Sequence, residues 1–304
     1  NYMCGIAGLF GKKNISKDTI NRSLALMKNR GPDFSGYHEE NISNKKSIYL
    51  LHSRLSIIDL NQRSNQPFVV GNYILIYNGE IYNYLELRDE LEKLGHVFNT
   101  SSDTEVLLYS YVEWGRYCLD KLNGMFAFVI YNKRMKTLFV ARDRFGIKPI
   151  YLLQSGNKIA FASEIKQFST LDDFSRKINL DRSIDFISWR IFNHTNETMF
   201  SNVYQLRGGQ YLDYNLIDGG SIPDEIKTWY SYKKLQSNDD NNVSERENFR
   251  IFRNLLTDSI SLRLRSDVEI ATALSGGIDS SSLSCIIDNL HDNGQSTFTV
   301  RNYD

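Results

Sequence analysis

Hydrophobic positions recur in two rhythms along the chain, and the rhythm changes near residue 236. Residues 4–10 (CGIAGLF) are short, apolar and small, as in a buried strand. Ser16 opens a helical pattern with Ile20, Leu24 and Met27 on one face. Apolar runs predict strands over residues 47–51, 54–59 and 73–77. A helix follows over 83–94: Leu87, Leu91 and Leu94 share a face, Asn83 with Glu86 resembles a capping box, and Gly95 stops it. Another helix starts after Asp103 and runs to about Trp114. Residues 125–131 with 137–142, and 150–153 with 158–161, read as two hairpins. Strands and helices come in blocks, which predicts a layered α+β domain.

The stretch 236–248 (QSNDDNNVSEREN) is nearly free of apolar residues and reads as an interdomain linker. An amphipathic helix over 249–264 comes next, then an apolar strand over 268–274 and a Gly-containing turn over 275–280. Leu283, Ile286, Ile287 and Leu290 mark a following helix, and residues 297–300 the next strand. This strand–turn–helix–strand unit opens a parallel α/β sheet. One such unit cannot cover both faces of a sheet, so the sequence reads as the front of a longer protein.

Composition narrows the function classes. The 304 residues suggest about two domains. An apolar fraction of 41% is enough for a core and argues against disorder. Lys+Arg and Asp+Glu number 36 each, so there is no electrostatic footprint for nucleic acid or an acidic membrane. No apolar run approaches the ~20 residues that span a bilayer, and no signal-peptide pattern opens the chain. Three cysteines do not make a disulfide framework, and the expected compartment is a reducing cytoplasm.

Cys118 and Cys285 lie in helical patterns and read as small buried hydrophobes. Cys4 differs by position, because it follows Met3 and precedes Gly5. Removal of Met3 and whatever precedes it would make Cys4 the first residue. Its α-amine, ordinarily near pKa ~7.7–8.0, could then act as base for its own thiol. Other residues suit a small amino acid. The planar fork of Arg54 matches a carboxylate, although an isolated Arg is commonly a solvated surface group. Asn78-Gly79 reads either as a hairpin turn or as an oxyanion hole; a helix, not a second strand, follows it, which weakens the turn. Glu80 could meet an ammonium group. Asp103 could do the same or simply cap its helix. The turn Ser275–Ser280 joins a strand to a helix, with glycines that let a phosphate approach and no Walker lysine. Asp279 there either binds Mg²⁺ beside phosphate oxygens or caps the helix. Spacing alone does not choose.

Taken together the chain resembles the glutamine-hydrolysing asparagine synthetase family. The stretches are MCGIAG at 3–8, RGPDFSG at 30–36, HSRLSIID at 52–59, YNGEIYN at 77–83, SDTEVLL at 102–108, ARDRFGIKPIY at 141–151, FASEIK at 161–166 and LSGGIDSS at 274–281. They are collinear and cover most of residues 3–281. The resemblance implies an α+β N-terminal-nucleophile amidotransferase sandwich (αββα), two antiparallel sheets between helices, over residues 4–215. It implies a connecting segment and linker over 216–245 and the truncated beginning of an α/β ATP-pyrophosphatase synthetase domain over 246–304. By position, Cys4 would attack the glutamine carboxamide, with the Asn78 side chain and Gly79 N–H on the oxyanion. Arg54, with backbone of Ile57 and Ile58, would bind the α-carboxylate, and Glu80 and Asp103 the α-amine. Arg30 would support the amino-terminal region. Ammonia would pass inside the protein to a site where ATP, held by Ala273, Leu274, Ser275, Gly276, Gly277, Asp279 and Ser280, adenylates an acceptor carboxylate, with Mg²⁺ on Asp279. The implied partners are the small molecules glutamine, ATP and the acceptor acid, with a possible homodimer.

Three features depart from the family pattern. Asn1 and Tyr2 precede Met3, LRGGQYL at 206–212 stands where a Pro-Pro-Gly run is usual, and the rest of the synthetase domain is absent. The expected acceptor is aspartate. The alternatives are the same chemistry on another acid, such as a polysaccharide sugar acid, and a catalytically silent paralogue; an intact Cys4, Arg54, Asn78, Glu80 and Asp103 argue against the last.

Overall fold

The computed structural model describes residues 3–11, 14–156, 158–172, 174–218, 221–232, 244–290 and 294–300. Asn1, Tyr2 and most of the 236–248 stretch lie outside the described residues. The chain divides into two compact units, Asn1–Ser56 with Asn61–Tyr232, and Ile57–Leu60 with Lys233–Asp304.

Among the described residues the first unit holds two six-stranded antiparallel sheets. Its elements begin with β1 (Gly5–Phe10), α1 (Lys17–Met27), β2 (Phe34–Asn41), β3 (Ser47–Arg54), β4 (Phe68–Val70) and β5 (Tyr73–Ile81). Then come α2 (Tyr84–Lys93), α3 (Asp103–Trp114), α4 (Cys118–Lys121), β6 (Gly124–Asn132), β7 (Thr137–Arg142), β8 (Tyr151–Ser155) and β9 (Lys158–Ala162). The unit closes with α5 (Leu180–Trp189), β10 (Val203–Gln205), β11 (Gln210–Asn215), α6 (Ile222–Glu225) and β12 (Ile226–Thr228). One sheet runs β10-β8-β9-β1-β3-β2 and the other β12-β11-β7-β6-β5-β4.

Period-two alternation turns these strands into four layers. Ile6 and Phe10 of β1, Ile48 and Leu50 of β3, Ile74 and Ile76 of β5, and Val129 of β6 form one core between the sheets. Ala7, Leu9, Tyr49 and Leu51, on the opposite face of their sheet, pack with Ile20 and Met27 of α1. Leu75, Tyr77, Phe126 and Phe128 pack with Leu87, Leu91, Val106 and Leu107 of α2 and α3. The αββα sandwich is therefore present.

Several local expectations are corrected. The strand expected over 54–59 does not form: Arg54 is the last residue of β3, whose register against β2 stops there, and residues 55–59 are outside any strand. The strand expected over 73–77 continues to Ile81 because β6 pairs along its whole length, so Asn78 and Gly79 are strand residues. No Asn83–Glu86 capping box forms; the Asn83 amide donates to the Lys121 carbonyl and its oxygen accepts from Asn123 N–H. Leu94 is exposed. Ser102, not Asp103, caps α3, accepting from Thr104 N–H at 3.1 Å.

The second unit contains α7 (Glu245–Arg263), β13 (Ala271–Ala273), α8 (Ile278–Leu290) and β14 (Ser296–Phe298), with β13 and β14 parallel. The strand expected over 268–274 is thus confined to three residues. Of the α8 stripe only Ile287 is buried, and Cys285 is exposed rather than buried. No helix among the described residues is long and apolar enough to cross a membrane.

Candidate active site

Where the inter-sheet core runs out at one end of the sandwich, its alternation continues with polar side chains. On β3 the inward positions Ile48 and Leu50 are followed by His52 and Arg54; on β5, Ile74 and Ile76 are followed by Asn78 and Glu80. Cys4 stands one residue before β1, in the inward register of Ile6, and the Gly5–Ser53 pairing sets it opposite Arg54. Two sheets therefore deliver these residues to one place.

Cys4 is half-buried. Its Sγ accepts from Leu55 N–H at 3.3 Å and donates to the Leu55 carbonyl at 3.5 Å. Burial pushes its pKa up to about 11, against the pull of the Leu55 backbone, Arg54 and Lys148. In this state the thiol is protonated at neutral pH and needs a base before it can attack. The segment is anchored by Arg30, whose Nε donates to the Cys4 carbonyl at 3.0 Å and whose carbonyl accepts from Met3 N–H at 2.8 Å. Arg30 also lies 3.5 Å from Glu164.

Asn78 is 1% exposed, yet neither its Oδ1 nor its Nδ2 has a hydrogen-bond partner among the described residues. A buried amide left in that condition is costly unless something else meets it. Gly79 follows, and a Cβ there would sit 2.1 Å from the Met125 carbonyl. Glycine is required at this position because β6 presses against it, a reason distinct from turn formation.

Arg54, 4% exposed, donates from one guanidinium nitrogen to the Asn61 carbonyl and to Asn65 Oδ1, both at 2.9 Å. Asp103, 5% exposed, uses Oδ2 to accept from Tyr77 OH at 2.9 Å and from Ile81 N–H at 3.0 Å. Burial raises the pKa of Asp103, and burial together with Asp103 raises that of Glu80. Gln66 fixes the same strand, its Oε1 accepting from Tyr77 N–H at 2.6 Å. Ile57 and Ile58 are grouped with the second unit, where the Ile57 carbonyl accepts from Asp267 N–H at 3.0 Å.

Two residues of this region escaped the sequence reading. His52 is fully buried, with Nε2 3.0 Å from the Tyr77 carbonyl. A carbonyl only accepts, so Nε2 carries the proton, and burial lowers the imidazole pKa to about 3. Lys148 is 6% exposed, and its ammonium donates to Met3 Sδ at 3.0 Å. Its loop is built by the two residues that follow Ala141. Asp143, fully buried, accepts from the N–H groups of Phe145, Ile147 and Lys148. Arg142 donates to the carbonyls of Lys148, Gly146 and Leu206.

In the second unit the 275–280 turn is held by its own serines. Ser280 Oγ lies 3.0 Å from Ser275 Oγ, accepts from Ser275 N–H at 3.2 Å and donates to the Gly277 carbonyl. Gly276 has φ +83°, which favours glycine. Asp279 stands in the first turn of α8 rather than capping it. Among the described residues no group of three or more His, Cys, Asp or Glu could hold a metal.

A glutamine amidotransferase domain family matches residues 3–224, and an asparagine synthase family matches residues 251–303. Asparagine synthetase [glutamine-hydrolyzing] 1 of Bacillus subtilis is 36% identical over 301 residues, covering 95% of this chain and 44% of that protein. Asparagine synthetase [glutamine-hydrolyzing] 3 of the same organism is 34% identical over 293 residues, covering 93% and 45%. The chain thus spans less than half the length of these two relatives. Among solved structures, glutamine phosphoribosylpyrophosphate amidotransferase from Bacillus subtilis, complexed with ADP and GMP, superposes with a TM-score of 0.53 at 18% identity. It covers 97% of this chain and 65% of that one, a likeness of fold.

Proposed function

The chain belongs to the glutamine amidotransferase family, in the form the glutamine-hydrolysing asparagine synthetases share, and from that premise we propose that it releases ammonia from glutamine at Cys4. The observation that carries this reading is the buried Asn78 amide, without a hydrogen-bond partner among the described residues, beside Gly79. An oxyanion would supply the acceptor that the Asn78 Nδ2–H groups lack among the described residues, with the Gly79 N–H as the second proposed donor. With residues 1–3 removed, the Cys4 amine takes the thiol proton as sulfur bonds to the carboxamide carbon, and returns it to the departing ammonia. Water then cleaves the acyl-enzyme to glutamate. Arg54 meets the α-carboxylate, and Glu80 and Asp103 meet the α-ammonium.

The ammonia serves a synthetase reaction in which ATP adenylates an acceptor carboxylate, aspartate in this proposal, yielding amide, AMP and pyrophosphate. Ala273, Leu274, Ser275, Gly276, Gly277, Asp279 and Ser280 are the proposed nucleotide contacts. Asp279 is the carboxylate available to Mg²⁺, which ordinarily takes one or two carboxylates plus phosphate oxygens; that donor set fits without a larger acidic cluster. The chain's own part is the turn's backbone, exposed and held open by Ser275 and Ser280.

The test is Cys4→Ala in protein whose mass begins at residue 4. Glutamate release should fall by at least about 10³-fold. Persistence of hydrolysis would remove Cys4 from the mechanism.

A further inference from the structure

Lys148 has no role in the reaction as described, yet its placement is unusual. A buried lysine ordinarily meets carboxylate or carbonyl oxygens. Among the described residues the Lys148 ammonium instead has one hydrogen-bond acceptor, the Met3 thioether, which is a weak one. Asp143 and Arg142 brace the loop that holds Lys148 there, through its N–H and its carbonyl. Five covalent bonds separate the Met3 sulfur from the Cys4 nitrogen, so the Lys148 ammonium lies within roughly 9 Å of that nitrogen.

Loss of Met3 would therefore do two things at once. It would create a new α-amine at Cys4 and take away the one acceptor that Lys148 has among the described residues. We propose that Lys148 is the positioning charge that keeps the freed Cys4 amine unprotonated at neutral pH, so that the amine is ready to take the thiol proton. This inference rests on the reading of Cys4 as nucleophile.

The sign follows from the charges. An ammonium beside the amine disfavours a second ammonium and lowers the amine's pKa. The same charge favours a thiolate on Sγ and an oxyanion. Lys148 does not act alone: Arg30 and Arg54 add positive charge, Glu80, Asp103 and Asp143 oppose it, Glu164 offsets Arg30, and His52 is neutral. Burial lowers the pKa of Lys148 itself, while Glu80 and Cys4 hold it up. At roughly 9 Å in a protein interior one unit charge moves a neighbour's pKa by about one unit.

Replacing Lys148 alone isolates its share. Lys148→Met keeps length and removes charge, and Lys148→Arg keeps the charge. In protein whose mass begins at Cys4, the acidic limb of kcat/KM for glutamine should rise by about one pH unit in Lys148→Met and stay in place in Lys148→Arg. KM for glutamine should change little. An unmoved limb in a folded Lys148→Met protein would overturn the proposal. If that variant does not fold, the wild-type amine decides: its acylation rate against pH, read by mass, should report a pKa below the usual ~7.7, and a value at or above that would overturn the proposal. Failure of the wild type to hydrolyse glutamine, or survival of hydrolysis in Cys4→Ala, would instead strike at the nucleophile reading, while the amine titration would still stand on its own.

Discussion

The cluster around Cys4 and the turn at 275–280 are both candidate sites, but protein surrounds them very differently. Arg54, Asn78, Asp103 and Lys148 are buried; Arg54 and Asn78 lie on strands paired on both sides, and hydrogen bonds from Arg142 and Asp143 hold the Lys148 loop. Residues 275–279 are exposed, and serine hydroxyls at the two ends of the turn tie it together. In the first region burial keeps water from the Asn78 amide and concentrates the field of each charge. In the second, the described residues supply backbone shape and little enclosure. The lesson is that preorganisation here comes from sheet register, which one substitution can upset, whereas the turn depends on local geometry that tolerates change.

That contrast can be sharpened in order of expected effect. Asn78→Ala should lower kcat for glutamine hydrolysis by about 10²–10³-fold with a smaller change in KM, because the amide is proposed to act on the developing oxyanion. An equal loss in KM alone would make Asn78 a ground-state contact. Gly79→Ala should destabilise the first unit by about 1–3 kcal/mol, since the added carbon meets the Met125 carbonyl. Thermal unfolding measures this, and an unchanged Tm would mean that β5 and β6 yield more readily than their pairing implies.

A third prediction concerns pH. His52 in the unfolded chain takes up a proton below about pH 6.5, while burial holds it neutral in the fold until about pH 3. Unfolding therefore binds a proton in that window, and stability falls with decreasing pH by up to about 1.4 kcal/mol per unit. Denaturant titrations between pH 7 and 4 should show this contribution as the difference between wild type and His52→Asn, because the raised carboxyls of Asp103 and Glu80 act in the opposite sense. The smallest effect belongs to the turn: Ser280→Ala should shift Tm by no more than about 2 °C, because its hydrogen bonds are open to water. A larger shift would show that the turn is more than locally held.

Much of the candidate site was legible in the sequence because its residues sit in short collinear motifs. The motifs did not show why the residues converge. That depends on which face of β3 and β5 looks inward, and a strand's register is fixed by its partners. The strand's end at Tyr77 was set too early for the same reason: alone Asn-Gly signals a turn, but β6 pairs through it. Ser102 and Asp103 are both good caps, and the choice between them was made by Tyr77 and Ile81 holding the Asp103 carboxylate. Strand β2 (FSGYHEEN) was missed because it lies at a sheet edge, where its partly buried positions are Gly36, His38 and Glu40 and its aromatic Phe34 and Tyr37 are exposed, so no apolar alternation shows. Helix α5, whose Leu180, Ile184 and Ile187 are exposed, lies outside the three cores and gave no stripe to read against them. Lys148 was inside a quoted motif, yet only the Asp143 and Arg142 contacts reveal where its loop points.

The measurement that bears most directly on the central claim is the intact mass of the protein from its own cell, paired with glutamate release from glutamine on the same sample and on Cys4→Ala. The account predicts a mass beginning at Cys4 and hydrolysis that the substitution abolishes. A mass retaining Met3 together with hydrolysis that survives in Cys4→Ala would contradict it.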